Sequence, residues 1–309
     1  MQNTTSVLEF HLIQLSEDPY LQTVIFGLFL SMYILALLGN LLIILTVSSD
    51  AHLHTPMYFF LCNLSMVDIG FISTTVPRMI VDTQTHCPVI SYVGCLTQMS
   101  MYLIFACMDG MLLAVMAYDR FVAICLPLYY QVIMNPSRCG VLLLSSFILS
   151  LVDLLIHYVA VLNFSNCKDF FEISNFFCGP SELLKLSCLD ILTNNIVRYC
   201  VGALFGLLPI SGILFSYFKI VSSLMQSSSS SGKHKIFSTC GSHLSIVCLF
   251  YGTGLGVYFS SSLSISPRSN AVVSVMYTAV TPMLNPFIYS LKNQDIKTAL
   301  RKILSRAFH

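Results

Sequence analysis

Residues Val24–Val47 read VIFGLFLSMYILALLGNLLIILTV, and no charged residue interrupts them. A helix rises 1.5 Å per residue and the hydrocarbon core of a bilayer is about 30 Å thick, so about 20 apolar residues cross it. The run is long enough. It also lacks the two-residue alternation of a strand with one wet face. It therefore reads as a membrane-spanning helix, and the rest of the chain repeats the pattern. Similar stretches cover Met57–Ile80, Cys95–Ile124, Cys139–Leu162, Ile196–Ser222, Ile236–Phe259 and Ala271–Ser290. Strands of a membrane barrel would instead appear as alternating segments of about ten residues. The expected fold is an all-α membrane protein, a bundle of seven transmembrane helices.

Composition agrees. Of 309 residues, 56% are hydrophobic and 9% charged, with a mean hydropathy of +0.79. Soluble domains carry about 25% charged residues. These values exclude a soluble enzyme, a disordered chain and a secreted disulfide mini-protein. A net charge of +1 without a dense basic tract argues against a nucleic-acid partner. Seven spans occupy about half the chain or more and leave no room for a sizeable soluble domain.

The organisation reads as an extracellular tail over 1–23, a transmembrane domain over 24–290 and a cytoplasmic tail over 291–309. Residues 1–22 hold Glu9, Glu17 and Asp18 but no Lys or Arg. They lack the basic start and apolar core of a cleavable signal, so the first span is expected to act as an uncleaved anchor. With the N-terminus outside, ten Lys and Arg face the cytoplasm: Arg120, Arg138, Lys219, Lys233, Lys235, Lys292, Lys297, Arg301, Lys302 and Arg306. Five lie outside: Arg78, Lys168, Lys185, Arg198 and Arg268. This bias sets the orientation. The longest loop, about 163–195, is then outside. Ser227–Ser231 and Gly232 read as a flexible linker. After the seventh span, Ile296, Leu300, Ile303 and Leu304 share one helical face, with Lys297, Arg301, Lys302 and Arg306 mainly off it. Such a basic amphipathic helix is expected along the inner leaflet.

Cys62, Cys107, Cys125, Cys139, Cys200, Cys240 and Cys248 fall in or beside spans, where cysteine acts as a small apolar residue. Cys87, Cys95, Cys167, Cys178 and Cys188 face the oxidising side, where disulfides form, although spacing does not fix which pair. Asn3-Thr4-Thr5 is a glycosylation sequon on the outer tail. Asn163-Phe164-Ser165 lies close to the membrane, and Asn63-Leu64-Ser65 lies inside the second span.

Ionisable residues inside spans are costly and point to function. Asp68 and Asp109 would repel if their helices adjoin, so the pair suits a cation or a shared proton. The alternative is a hydrogen-bonded knot that fixes packing. Asp153 and His157, four residues apart, read as a local pair. Enzymatic readings fail. Tyr118-Asp119 offers half of an intramembrane aspartyl protease signature, but no Gly-x-Gly-Asp follows. His243 stands without the neighbours a metal hydrolase needs, and no phosphate-binding loop occurs.

Five motifs then carry a resemblance. Leu38-Gly39-Asn40 lies in the first span, and Pro56-Met57-Tyr58-Phe59-Phe60-Leu61 opens the second. Met116-Ala117-Tyr118-Asp119-Arg120-Phe121-Val122-Ala123-Ile124-Cys125 closes the third. Phe237-Ser238-Thr239-Cys240-Gly241-Ser242-His243-Leu244 opens the sixth, and Pro282-Met283-Leu284-Asn285-Pro286-Phe287-Ile288-Tyr289-Ser290-Leu291 closes the seventh. In order and position, from about residue 20 to 304, these resemble the olfactory receptor family of G-protein-coupled receptors.

The resemblance implies roles. Asp119 and Arg120 would form the switch at the inner end of the third span, with Tyr217, Asn285, Pro286 and Tyr289 supporting it. Cys95 would bond Cys178, and Cys167 would bond Cys188. Asp68, Asp109 and Asn285 resemble the family's sodium site, and no other cofactor is implied. Asp109 stands where the family usually has Glu. Leu126-Pro127-Leu128-Tyr129-Tyr130 replaces His-Pro-Leu-His-Tyr, and Lys233-His234-Lys235 is a mild variant. The implied partners are a small odorant, a heterotrimeric G protein of the stimulatory olfactory type and the lipid bilayer. The implied location is the plasma membrane, specifically the cilia of olfactory neurons.

Helical spacing, anchored on those motifs, places a pocket in the outer half of the bundle. Its expected lining is Tyr102, Leu103, Ala106 and Cys107 on span three, and Val201, Gly202 and Phe205 on span five. Span six adds Tyr251, Gly254, Leu255 and Tyr258, and span seven adds Val275 and Thr278. None is charged, so the expected ligand is small, neutral and mostly apolar. Two other readings remain: the same fold sensing a non-volatile metabolite outside the nose, or an ion-coupled transporter or channel. The absence of an internal repeat weighs against a transporter.

Overall fold

The computed structural model describes residues 9–16, 18–162, 172–186, 191–226, 230–262 and 266–307. Among them are seven helices long and apolar enough to cross a membrane. We label them α1 (Pro19–Ser49), α2 (Pro56–Thr85), α3 (Tyr92–Cys125) and α4 (Pro136–Leu162). Then follow α5 (Ile191–Val201 continuing through Leu208–Gln226), α6 (Ser230–Ser262) and α7 (Pro267–Val275 continuing through Thr281–Lys292). A last helix, α8, covers Gln294–Ala307.

Most spans run beyond the apolar stretches, because hydrophobicity marks the membrane and not the helix ends. α1 already begins at Pro19, where Asp18 caps it by accepting from the Tyr20 amide at 2.9 Å. A proline in the first turn loses no hydrogen bond there. α2 ends at His86, whose φ of 54° turns the chain toward the third span.

Two spans contain a wide turn of i→i+5 hydrogen bonds, Gly202–Leu207 in α5 and Met276–Val280 in α7. Each lies just before a proline, Pro209 and Pro282. Proline has no amide hydrogen and crowds the carbonyl four residues back, and the wide turn relieves that crowding. The consequence is a change of helical phase, which decides which side chains face the bundle.

In the 18-residue windows of the spans, 56% of α2 and α3 and 50% of α7 is buried, against 28% of α1 and 22% of α4 and α5. The former are the centre, and the latter turn leucine and phenylalanine outward, among them Leu38, Leu155, Leu214 and Phe218. Asn40 holds α1 to α7 by donating to the Ala36 and Pro282 carbonyls at 3.0 and 3.2 Å. Gly39 allows this approach, since a Cβ there would lie 2.8 Å from the Pro286 ring.

The outer end carries structure beyond the expected helices. Glu9–Leu12 (β1) is the middle strand of a small sheet, antiparallel to β2 (Val89–Ser91) and parallel to β3 (Glu172–Ile173). Phe10 and Leu12 point inward and Glu9 and His11 outward, the alternation of a strand with one covered face. The polar tail thus contains a strand whose pattern is too short to stand out in the sequence. The outer loop also holds a short helix, Pro180–Leu186.

At the inner end α8 packs on α1 and α7. Ile296 is buried as expected, joined by Ala299, while the side chains of Ile303 and Leu304 fall outside the described residues. Lys302 reaches Asp50 at 3.4 Å, tying α8 to the first inner loop. Asp50 also accepts from the His52 amide, and this bond, ahead of Lys302, holds its carboxyl below the usual range.

Candidate ligand cavity and inner switch

A cavity of about 440 Å³ opens in the outer half between α3, α5 and α6. Ala106 and Cys107 line it from α3, Gly202 and Phe205 from α5, and Tyr251, Gly254, Leu255 and Tyr258 from α6. Those eight stand where the helical spacing put them. Glycine lets aromatic rings lie against backbone here: a Cβ on Gly202 would be 3.4 Å from the Tyr258 ring, and one on Gly254 would be 3.2 Å from Tyr277.

The other five expected residues do not line it. Tyr102 is packed among Phe71, Phe177 and Tyr277, with ring centroids 5.4, 5.1 and 6.2 Å away. Leu103 is buried in the core. Val201 precedes the α5 wide turn, which brings Ala203, Gly206 and Leu207 to the cavity. Val275 precedes the wide turn of α7 and Thr278 lies within it: Tyr277 lines the cavity, and Thr278 is fully buried with its hydroxyl on the Ser274 carbonyl at 2.8 Å. A regular helix has 3.6 residues per turn, and the wide turns depart from that spacing.

The lining also includes residues the spacing did not select, notably Tyr199, Phe250, Phe259, Tyr277 and Asp153. Asp153 corrects the expectation of a wall without charge. An acid inside a span is a rare and functional signal, and the local pair with His157 accounts for only part of it. That pair exists, with His157 Nδ1 3.3 Å from Asp153 Oδ1.

The outer loop is fixed against this region. Cys95 and Cys178 are joined by a disulfide. The Cys178 amide donates to Gln98 at 2.9 Å, and Asn175 donates to Ser274 at 3.0 Å. β1 adds a further tie, with the Ile13 amide on the Asn175 carbonyl at 3.0 Å. Cys167, Cys188 and Asn3 lie outside the described residues.

Midway down, Asn285 donates to both oxygens of Asp68, at 2.9 and 3.1 Å. Asp109 is 2% exposed, and its Oδ1, like Asn285 Oδ1, accepts no hydrogen bond. The three residues expected together therefore include a bonded pair and a neighbouring acid with unused acceptors.

The inner end is built differently. Arg120 lines a void of only about 10 Å³ with Met57, Leu61, Met116, Ser242, His243, Tyr289 and Asn293. Asp119 accepts from the Tyr130 hydroxyl at 2.9 Å. Burial, and then the Asp119 charge, push the Tyr130 phenol up, so it stays a neutral donor. His243 bridges two helices, with Nε2 3.1 Å from the Leu113 carbonyl of α3 and Nδ1 2.8 Å from the Tyr217 hydroxyl of α5. A carbonyl only accepts, so Nε2 carries the hydrogen and, in the neutral ring, Tyr217 donates to Nδ1. Tyr217 thus faces His243, and Tyr289 has its hydroxyl 3.9 Å from the Met116 sulfur. Pro286 sits against Gly39. Sequence reasoning treated His243 as a histidine without partners, because its two partners lie 26 and 130 residues away.

Known proteins place the chain. The family model described as Olfactory receptor matches residues 29–307. Olfactory receptor 7E178 of Mus musculus is 63% identical over 305 residues, covering 99% of this chain and 92% of the relative. Olfactory receptor 7E24 of Homo sapiens is 65% identical over 305 residues, covering 99% and 90%. The crystal structure of squid rhodopsin superposes with a TM-score of 0.77 at 18% identity, covering 94% of this chain and 87% of that one. That last likeness speaks to the fold alone.

Proposed function

The chain belongs to the olfactory receptor family, multi-pass receptors of the plasma membrane that signal and are not enzymes, and from this we propose that it binds a small, mostly apolar ligand in the outer cavity. The observation that carries the reading is the cavity itself: about 440 Å³, walled by tyrosine, phenylalanine and glycine, with no Lys or Arg among its described lining residues. Such a wall rewards apolar surface and favours an uncharged molecule, since desolvating any charge is costly. Tyr258, Tyr251 and Phe205 stand on this wall, and Gly202 and Gly254 leave room for the rings of Tyr258 and Tyr277.

Binding would shift a pre-existing equilibrium between two arrangements of the inner end. In the arrangement described, His243 ties α6 to α3 and Arg120 is enclosed. In the other, α6 releases the Leu113 carbonyl and Arg120 turns toward a G protein of the stimulatory olfactory type, so cyclic AMP rises. Tyr217 and Tyr289, freed from His243 and Met116, would take up Arg120. Pro286 permits rearrangement nearby, because its helix ladder already lacks a bond. We also propose that a sodium ion sits among Asp68, Asp109 and Asn285, where unused oxygen acceptors suit a hard cation. Such an ion would join α2, α3 and α7, so replacing external sodium by a bulky organic cation should raise ligand-independent cyclic AMP.

The test is expression in cells carrying an olfactory-type G protein and a screen of neutral volatile compounds for cyclic AMP. A response lost in Tyr258→Ala with normal surface staining supports this reading. A response that Tyr258→Ala leaves intact removes the cavity from it.

A further inference from the structure

Asp153 is unlike every other residue on the cavity wall. It is the one carboxylate among the described lining residues, it lies mid-membrane on α4, and only 4% of it is exposed. Its Oδ1 accepts no hydrogen bond. His157 stands beside it, but the histidine's Nδ1 hydrogen points along the helix to the Asp153 backbone carbonyl at 3.0 Å. The same nitrogen is 3.3 Å from Asp153 Oδ1, an ion-pair distance, while its hydrogen is committed to that carbonyl. A buried carboxylate oxygen without a donor is costly unless something supplies one. The cavity is the space from which a donor can come.

We infer that Asp153 is the specificity-determining anchor of the cavity, accepting a hydrogen bond from the hydroxyl group of a neutral ligand. The inference rests on the reading of this cavity as the ligand site and adds the polar group the ligand carries. Two observations favour a hydroxyl over an ammonium. His157 lies within ion-pair distance and supplies the countercharge when protonated, so the site needs a donor and not a second cation. Arg198, held by Asn195 at 2.9 Å near the outer end of α5, has its guanidinium 5.6 Å from the ring centroid of Tyr199 on the cavity wall, and its charge opposes a cation there. Ketones and ethers of the same shape offer only acceptors, which a carboxylate repels. The tyrosine and phenylalanine rings around the cavity take the carbon skeleton.

The experiment compares matched probes: primary alcohols of six to twelve carbons, their methyl ethers and the corresponding amines. Cyclic AMP is read in cells expressing the full chain, normalised to surface staining. The wild type should respond to the best alcohol at a concentration at least about tenfold below that for its ether, the factor expected of one hydrogen bond to a charged acceptor. Asp153→Leu should erase that ratio while keeping the ether response. Asp153→Asn, which keeps the shape and one acceptor, should reduce the ratio several-fold and serves if the leucine variant does not reach the surface. An unchanged ratio in both variants overturns the anchor. So does an amine that outperforms the alcohol, or silence to every alcohol in the series. Tyr258→Ala separates the two levels of the argument. If it abolishes responses that the Asp153 variants leave alone, the cavity stands and only the anchor falls. If neither position affects the responses, the cavity reading itself falls.

Discussion

The two ends of the bundle use the same helices to opposite purpose. In the outer half, α3, α5 and α6 stand apart around about 440 Å³, and among the described residues few side-chain hydrogen bonds cross between them. One of them, Tyr251 to the Gly110 carbonyl, is long at 3.3 Å. In the inner half the same three helices are linked through His243 to Leu113 and Tyr217, around a void of about 10 Å³. An open end can exchange one apolar guest for another at modest cost. A tightly bonded end has discrete arrangements and so can act as a switch. The comparison suggests that ligand preference is written in the outer side chains and coupling in the inner ones.

Mutations can break this division. Arg120→Ala should have the largest effect, abolishing the cyclic AMP response while surface staining is preserved; a retained response would show that the inner end does not transmit. Tyr258→Ala comes next. Losing its ring from the wall should raise the half-maximal ligand concentration by about tenfold or more, as removal of roughly 2 kcal/mol of apolar contact implies. Dose–response curves give the shift directly. His243→Phe keeps the volume near Tyr217 but removes the tie to Leu113. Ligand-independent cyclic AMP should rise about fivefold, the equilibrium shift expected from one hydrogen bond; a fall or no change would mean that this bond does not restrain α6. The smallest effect should follow Gly206→Val. An added Cβ there meets nothing within 4 Å, so the substitution narrows the cavity without a clash. Larger ligands should lose potency a few-fold relative to smaller ones, with basal signalling unchanged.

The two ends also differ in how far the sequence reveals them. The spans, their order and the inner residues Asp119, Arg120, Asn285 and Tyr289 could be placed by hydrophobic runs and motifs. The outer wall was legible at Ala106 and Cys107 of α3, along α6 as at Tyr251 and Tyr258, and at Gly202 and Phe205 of α5. It failed at Val275 and Thr278, because the wide turn before Pro282 shifts the face. Those prolines were visible, yet a proline announces a disturbance without giving its size. Tyr102 was misjudged for another reason: whether a side chain meets a cavity or a neighbour depends on Phe177, which reaches it through the Cys95–Cys178 bond. The strand Glu9–Leu12 escaped because its partners, Val89–Ser91 and Glu172–Ile173, are far away in sequence and short. In each case the missing information is a long-range contact.

The separation of the two ends is tested most directly by ligand-induced thermal stabilisation of the purified receptor. A compound that raises cyclic AMP should raise the unfolding temperature of the wild type and of Arg120→Ala alike, because the cavity of that variant is intact. The same compound at the same concentration should stabilise Tyr258→Ala clearly less, as its weaker binding requires. Loss of stabilisation in Arg120→Ala, or full stabilisation of Tyr258→Ala, would contradict the account.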